Sequence, residues 1–219
     1  DLILIENAPT LILAMKKKIH GKYVLHLHND LNNIRHYNNC FLNYDSILCC
    51  SKYIEKRVRK KYPTSKTCLV YNGIQENELL PYLKQRKKLR KSFGLSKNDF
   101  VFGFCGRICQ DKGVKELVMA FQTLLKEKPN IKLVIVGNSI FKDSKPTSYV
   151  LELQEMTKDI QDSIIFTGYI DHNQIGTYYS CIDVSVQPSI VNEACPLTIL
   201  EAEIMGVPII ASKSGGIPE

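Results

Sequence analysis

The chain has 219 residues, of which 44% are hydrophobic and 23% charged, and its formal net charge at pH 7 is +7. This apolar content suffices for one large or two small domains and excludes a disordered chain. The positive charge is concentrated at 16–18, 52–61 and 84–91. Because no stacking-aromatic strand, zinc-finger or helix-turn-helix pattern accompanies it, we expect solvated helix faces or contact with an anionic membrane, and no nucleic-acid partner.

Cysteine spacing and the search for targeting segments indicate the cellular compartment of the protein. The eight cysteines are scattered without a Cys-x-x-Cys pair, which predicts buried free thiols in a reducing cytoplasm rather than a zinc site or a disulfide framework. No signal peptide or membrane span is visible, since the apolar stretch at 2–15 is short and interrupted by Glu6, Asn7 and Pro9. We expect a cytoplasmic protein with peripheral contact at the inner membrane face. The chain begins inside a predicted strand and is expected to be an internal fragment.

In chain order, the first part alternates short apolar strands with helices. Strands are predicted at 2–5, 23–27, 46–50 and 67–71, and helices at 10–19 and 52–61. A polar, helical stretch follows at 76–99, with a helix at 83–93. The second part has predicted strands at 100–105, 131–136, 164–167, 182–186 and 208–212, and helices at 114–127, 149–160, 173–180 and 196–205. This alternation predicts two doubly wound parallel sheets, and ligands of such sheets bind beyond the carboxyl ends of the strands.

One loop-and-helix segment has residues suited to a sugar and an anion. Glu193 precedes the helix predicted at 196–205, and Glu201 lies on its second turn. The unpaired N–H groups of Leu197 and Thr198 at the helix start favour a phosphate, whereas the carboxylates accept hydrogen bonds from sugar hydroxyls. Pro196 suits the first turn because it has no N–H to leave unpaired. The alternative is that both glutamates are solvated surface residues without a function. A second motif is needed to decide against that alternative.

The second motif follows the strand at 100–105 and reads Gly-Arg-Ile-Cys-Gln-Asp-Lys-Gly, from Gly106 to Gly113. Arg107 and Lys112 on one loop can converge on a diphosphate and neutralise the charge on a leaving nucleotide without a metal. With the Glu-x7-Glu segment and the Glu-Ala-x-x-x-Gly-x-Pro tail, the sequence from Gly106 to Glu219 resembles glycosyltransferase family 4. The resemblance implies a GT-B fold, with two Rossmann-like domains facing a cleft and both incomplete here, and a retaining, nucleotide-sugar-dependent reaction.

The same resemblance assigns roles to individual residues. Arg107 and Lys112 would stabilise the departing diphosphate beside Gly106, with help from the N–H groups of Leu197 and Thr198. Glu193 would hold the sugar and Glu201 the ribose, while Tyr169 and Ile170 would lie near the base. No metal and no cofactor are implied. Cys195-Pro196 stands where the family often has Gly-Phe-Gly, and Pro196 contributes no N–H to a phosphate.

On the acceptor side, the run His26-Leu27-His28-Asn29-Asp30 follows a predicted strand. A histidine at a strand end is most often structural, and the functional alternative has His28 touching the donor sugar. His26 and His28 share a face of the strand, so the sequence alone does not separate them.

These inferences predict a hexosyltransferase with a nucleotide-diphosphate sugar donor and a saccharide or lipid-linked acceptor, active in polysaccharide or glycoconjugate biosynthesis. We expect an acceptor-side domain over 1–78, a connection over 79–98 and a donor-binding domain over 99–219. Two alternatives remain open at this point. One is a GT-B sugar-nucleotide epimerase, and the other is a non-catalytic donor-binding partner subunit.

Overall fold

The computed structural model describes residues 1–31, 40–138 and 146–219. The chain forms two compact units. The first consists of Asp1–Gly73 with the two later segments Asn192–Pro196 and Lys213–Glu219, and the second of Ile74–Val191 with Leu197–Ser212. Each unit contains one parallel sheet, so the predicted α/β class with two parallel sheets is confirmed.

The first sheet consists of four parallel strands in sequential order, β1 (Leu2–Glu6), β2 (Lys22–Leu27), β3 (Ser46–Cys49) and β4 (Thr67–Leu69). Two helices connect them, α1 (Leu11–Met15) and α2 (Lys52–Lys61). On α2, Ile54 and Val58 are fully buried, while Lys56 between them is exposed and the half-buried Arg57 pairs with Asp30. Its first turn is closed by the Ser51 hydroxyl, which accepts from the N–H of Ile54 at 3.2 Å. Helix α2 spans the residues predicted for it.

Helix α1 is shorter than the predicted 10–19. It ends at Met15, and the chain continues as turns in which the N–H of Lys18 donates to the Met15 carbonyl at 2.9 Å. Ile12 is the residue of this helix that the core buries. Because packing of an apolar face supplies most of the stability of a short helix, one buried residue does not hold a longer one.

The second sheet has the order β7-β6-β5-β8-β9, with all pairs parallel. Its strands are β5 (Phe100–Cys105), β6 (Ile131–Val136), β7 (Ile164–Gly168), β8 (Val184–Gln187) and β9 (Ile209–Ala211). The helices of this unit are α3 (Glu76–Leu79), α4 (Arg86–Ser92), α5 (Val114–Glu127), α6 (Ser148–Met156), α7 (Ile175–Cys181) and α8 (Leu197–Ile204). The strand order reverses between β5 and β8, and a crevice at such a switch point is where open α/β sheets bind ligands.

The helix predicted at 83–93 is divided into a 3₁₀ segment, Leu80–Gln85, and α4. Two arginines of α4 explain why the regular helix starts at residue 86. Arg86 donates to the carbonyls of Ser180 and Ile182, and the buried Arg90 donates to the Cys181 carbonyl and pairs with Asp183. These bonds tie α4 to the chain that enters β8.

Two further sequence expectations concern thiols and membrane spans. All eight cysteines are free, and five of them, at 40, 49, 50, 105 and 181, are buried. This confirms the prediction of free thiols rather than disulfides. Within the described ranges, none of the helices combines the length and the apolar character that crossing a membrane requires.

Candidate functional site

In the second unit, a cavity lies at the carboxyl ends of β5, β6 and β7. Its volume is about 170 Å³. It is lined by Cys105, Gly106, Arg107, Val136, Gly137, Asn138, Tyr169, Ile170 and Ile175. Because pockets that hold whole drug-sized ligands are roughly 300–1,000 Å³, this cavity fits one ring of a larger ligand. The structure therefore brings Gly106 and Arg107 together with Tyr169 and Ile170, which the sequence had associated with the base.

Backbone contacts shape the rim of this cavity. Beyond the strand ends, the N–H of Gly106 donates to Val136 at 3.0 Å and the N–H of Gly137 donates to Gly168 at 2.9 Å. Gly137 has φ 138° and packs so closely that an added Cβ would lie 1.9 Å from the carbonyl oxygen of Gly106. Only glycine fits there, so the loops after β5 and β6 approach each other through bare backbone at the rim of the cavity.

The loop that contains Arg107 and Lys112 is tied to the loop after β8. Gly113 has φ 67°, and a Cβ on it would lie 2.2 Å from the carbonyl oxygen of Pro188. The N–H of Ile190 also donates to the Asp111 carbonyl at 3.0 Å. The two loops flank the switch point between β5 and β8. Arg107 is exposed and Lys112 is half-buried, so a loop held at both ends presents the two cations at the edge where ligands of parallel sheets bind.

Helix α8 begins at Leu197, one residue later than predicted, with Pro196 directly before it. Leu197 and Thr198 are then its first two residues, and their N–H groups have no partner within the helix. These groups and the partial positive charge of the helix N-terminus favour an anion. At the other end, the N–H of Val207 donates to the carbonyl of Ala202 at 2.9 Å and Gly206 has φ 66°, which is a left-handed C-terminal cap.

Glu201, on the second turn of α8, is 3% exposed. Its Oε2 accepts a hydrogen bond from the Tyr179 hydroxyl at 2.8 Å, and its Oε1 lies 3.6 Å from Nδ1 of His172. Burial, followed by the nearby charge of Glu201, raises the pKa of Cys105 to about 12. Tyr179, on α7, therefore contacts a candidate site residue and was not predicted from the sequence. No motif around it in the chain distinguished it.

Glu193 belongs to the first unit, in the segment Asn192–Pro196. Its carbonyl accepts a hydrogen bond from the N–H of Gly216 at 2.8 Å, and a Cβ on Gly215 would lie 2.1 Å from that same carbonyl oxygen. The next residue, Ala194, is buried in the core of the first unit. The backbone of the half-buried Glu193 is therefore fixed by the turn at Gly215 and Gly216. This contact explains why a residue with a Cβ would not fit at position 215.

His28 lies just beyond β2, at the carboxyl end of the first sheet, within a group of polar side chains. Its Nε2 lies 2.9 Å from Oε2 of Glu6, and its Nδ1 lies 3.1 Å from Oδ1 of Asn72. Its backbone N–H donates to Oδ1 of Asn7 at 3.2 Å. Asn7 has φ 50°, an uncommon backbone conformation for a residue other than glycine. Glu6, Asn7 and Asn72 were not predicted as site residues.

The charge of Glu6 depends on the two histidines. Its Oε2 also lies 3.3 Å from Nδ1 of His26. Burial by itself raises the pKa of Glu6, but the hydrogen bond from His28 and the positive charges of both imidazoles outweigh that effect and leave the pKa below its usual value. Glu6 is therefore a carboxylate at neutral pH. The parallel register pairs Glu6 with His26, a relationship that becomes visible once β1 and β2 are aligned.

A larger cavity of about 490 Å³ lies elsewhere in the second unit, near the residues that precede β5 and β8. It is lined by Arg86, Lys87, Arg90, Lys91, Leu95, Lys97, Asp99 and Asp183. Its two arginines are held by Asp183. Since ligands of open parallel sheets bind at the opposite ends of the strands, the smaller cavity is the candidate site.

This strand order, with a glycine-lined cavity at the carboxyl edge of the sheet, defines an open α/β protein of the class that binds ligands at a topological switch point. The family model of glycosyl transferases group 1 matches residues 85–219, and the chain belongs to this family. The GT-B fold is confirmed by its structural neighbours. The chain superimposes on Anabaena Alr3699/HepE, solved in complex with UDP and glucose, with a TM-score of 0.80 and 24% identity over 99% of this chain and 60% of that chain.

Two curated relatives are similar along nearly the whole chain. The putative glycosyltransferase YtcC of Bacillus subtilis (strain 168) is 29% identical over 99% of this chain and 56% of the relative. The lipopolysaccharide 1,2-N-acetylglucosaminetransferase of Salmonella typhimurium (strain LT2) is 27% identical over 100% of this chain and 56% of the relative. The chain therefore spans little more than half the length of these relatives.

Proposed function

We propose that this protein is a retaining glycosyltransferase of the family 4 type, which transfers a hexose from a nucleoside-diphosphate sugar to a saccharide or lipid-linked acceptor. The observation that carries the proposal is the cavity at the carboxyl ends of β5, β6 and β7, with Arg107 at its rim. Family membership supports the same reaction class. The solved complexes of Alr3699/HepE with UDP and glucose and with UDP-glucose support a nucleotide sugar as the donor.

In this proposal, the base enters the cavity beside Tyr169 and Ile170, and the diphosphate lies along the loop from Gly106 to Lys112. Arg107 and Lys112 neutralise the charge that develops on the leaving nucleotide. The N–H groups of Leu197 and Thr198 add the partial positive charge of a helix N-terminus. These donors stabilise the leaving group without a metal ion, so the proposed reaction is metal-independent.

The two glutamates and His28 complete the proposed site. The Tyr179 hydroxyl occupies Oε2 of Glu201, which leaves Oε1 to accept from a ribose hydroxyl. Glu193 accepts from the transferred sugar, and His28 contacts the same sugar from the acceptor-side domain. We retain 1–78 as that domain, 79–98 as the connection and 99–219 as the donor-binding domain.

We also propose peripheral contact of this cytoplasmic protein with an anionic membrane, which suits a lipid-linked acceptor in polysaccharide or glycoconjugate biosynthesis. Helix α2 presents five exposed cations, Lys52, Lys56, Arg59, Lys60 and Lys61. Each surface cation near an anionic leaflet adds about 1 kcal/mol of attraction. Co-sedimentation of the full-length protein with vesicles that contain phosphatidylserine, but not with phosphatidylcholine vesicles, is the expected result.

The test of the reaction is product analysis. Full-length protein is incubated with a set of nucleoside-diphosphate hexoses, with and without saccharide and lipid acceptors, and the products are analysed by mass spectrometry and by NMR of the anomeric proton. We expect an acceptor-dependent glycoside with the donor's anomeric configuration. A changed sugar nucleotide formed without acceptor would instead identify an epimerase, and donor binding without any product would identify a partner subunit.

A further inference from the structure

Two histidines and a glutamate converge at the carboxyl end of the first sheet. Glu6 is the last residue of β1 and is the register partner of His26 in β2. His28, two residues further along, points to the same side of the sheet as His26, and the two imidazole rings are 4.0 Å apart. One donor atom from each of the three side chains lies within 4.8 Å of the other two. The strand register thus gathers two nitrogen donors and one oxygen donor at one point.

The surroundings orient these donors. Oδ1 of Asn72 lies 3.1 Å from Nδ1 of His28 and directs the Nε2 atom towards Glu6. The amide nitrogen of Asn72 donates to the Cys195 carbonyl at 3.2 Å, which fixes the side chain with its oxygen towards the imidazole. A metal-binding histidine almost always donates its second ring N–H to such an oxygen. The outer partner that a ligand histidine needs is therefore present for His28.

We propose that Glu6, His26 and His28 form a binding site for a late first-row divalent cation such as Zn²⁺, with a water molecule as the fourth ligand. In a tetrahedral site with zinc–ligand bonds of about 2.0–2.1 Å, neighbouring ligand atoms are roughly 3.3 Å apart. Oε2 of Glu6 lies 3.3 Å from Nδ1 of His26 and 2.9 Å from Nε2 of His28. Of the three edges that these donors define, the Glu6–His26 edge already has the required length and the Glu6–His28 edge opens by a few tenths of an ångström. The His26–His28 edge is within 4.8 Å and closes as the ion binds.

The chemistry of the donors selects the ion. Imidazole nitrogens favour Zn²⁺, Cu²⁺ and Ni²⁺ over Mg²⁺ and Ca²⁺, which prefer oxygen ligands. Two histidines with one carboxylate are a ligand set of zinc sites that keep one open position. The side chain of Glu6 is 54% exposed and that of His28 is 35% exposed, so the ion reaches the site from solvent.

Occupation by a cation has a consequence that rests on the proposed role of His28. A nitrogen bonded to zinc cannot contact the donor sugar, so zinc at this site inhibits transfer. The reaction itself remains independent of metal, because the leaving diphosphate is stabilised by residues of the second unit. Binding and inhibition are separate claims, and calorimetry tests the first without any turnover.

The binding test is calorimetric titration of the chelator-treated full-length protein with zinc chloride. We expect one site that weakens at least 10-fold in Glu6→Gln, which keeps the size of the side chain but removes its charge, and 10–100-fold in Asn72→Ala, which removes the outer partner. His20→Gln is the matched control, since His20 is exposed and outside the cluster. Far-UV circular dichroism verifies that each variant is folded. Equal zinc affinity in wild type and Glu6→Gln would overturn the proposal.

Cobalt substitution separates this site from the free thiols. Co²⁺ bound by two imidazoles and a carboxylate gives visible d–d bands without a thiolate charge-transfer band, and this is the expected spectrum. A thiolate band that persists in Glu6→Gln would show that a cysteine is the ligand and would contradict the site. If zinc binds as expected but leaves turnover unchanged, the metal site stands and the role of His28 in transfer fails.

Discussion

The candidate site of the second unit is formed largely by backbone, whereas that of the first unit is formed by side chains from three strands. In the second unit, Gly137 meets Gly106 and Gly113 meets Pro188 at distances that exclude any Cβ. In the first unit, Glu6, His28 and Asn72 lie at the ends of strands or just beyond them and interact through their polar groups. A backbone-built site keeps its shape when side chains change, while a side-chain network depends on each of its members.

The largest expected effect comes from the cations of the second unit. Arg107→Ala and Lys112→Ala should each lose about 2–4 kcal/mol of transition-state stabilisation, because each variant removes a charge that offsets the leaving diphosphate. The measurement is kcat/KM of the full-length protein with its donor and acceptor. Lys115→Ala is the matched control, since Lys115 lies on α5 and pairs with Glu152. Full turnover in either loop variant would defeat the assignment.

In the first unit, the stability of the hydrogen-bond network around His28 is expected to depend on Asn7. Asn7→Ala should lower the free energy of unfolding by about 1–3 kcal/mol, because it removes the acceptor for the His28 N–H while the backbone stays at φ 50°. Asn7→Gly should be less destabilising by about 1 kcal/mol, since glycine adopts positive φ without strain. Urea unfolding of both variants measures the difference. If both variants lose the same stability, strain at this position has no role.

A smaller effect is expected from Tyr179→Phe. The change removes the hydrogen bond to the buried carboxylate of Glu201, which should weaken nucleoside-diphosphate binding by about 1–2 kcal/mol, since hydrogen bonds to charged groups contribute 1.5–3 kcal/mol. Tyr178→Phe is the matched control, because its hydroxyl lies against Gly103 in the same core. Calorimetric titration with the nucleotide compares the two. Equal affinities would show that Tyr179 does not position Glu201.

The smallest expected effect is that of a chelator. Arg107, Lys112 and the start of α8 supply the positive charge for the leaving group, so dialysis against EDTA should leave the initial rate unchanged in the absence of added zinc. Loss of activity that manganese or magnesium restores would contradict this account of the second unit.

Local features of the sequence predicted most of the second unit. Strands β5 and β6 and helix α5 have the predicted bounds. Their signals, apolar runs and loops that end in glycine, each lie within one short stretch of sequence and can be recognised without knowledge of the fold. The motif loop at Gly106–Gly113 was visible for the same reason. The network around His28 was not predicted, since Glu6 and Asn72 are 22 and 44 residues from it in the chain. Only the strand register brings them together, and the register is a property of the folded sheet.

Tertiary contacts also account for the elements that differed. Helix α1 ends earlier than predicted because one buried residue, Ile12, does not stabilise a longer helix. Helix α4 begins at Arg86 because its arginines donate to backbone carbonyls that precede β8. Neither cause is encoded in the local pattern of apolar residues. Helix α2 has the predicted bounds, but one of its caps is tertiary, since the Glu219 carboxylate accepts from the N–H groups of Lys52 and Tyr53 at 2.7 Å each. A helix cap supplied from 166 residues away is outside the reach of any sequence window.

The central claim is that Glu193 and Glu201 bind different parts of one donor. The most direct measurement is calorimetric titration of Glu193→Gln and Glu201→Gln with a nucleoside diphosphate and with the matching nucleotide sugar. Glu193→Gln should bind the diphosphate as wild type does and lose about 1–3 kcal/mol with the nucleotide sugar, because its hydroxyl partners are present only there. Glu201→Gln should weaken both ligands alike. The same pattern in both variants would contradict the division of roles.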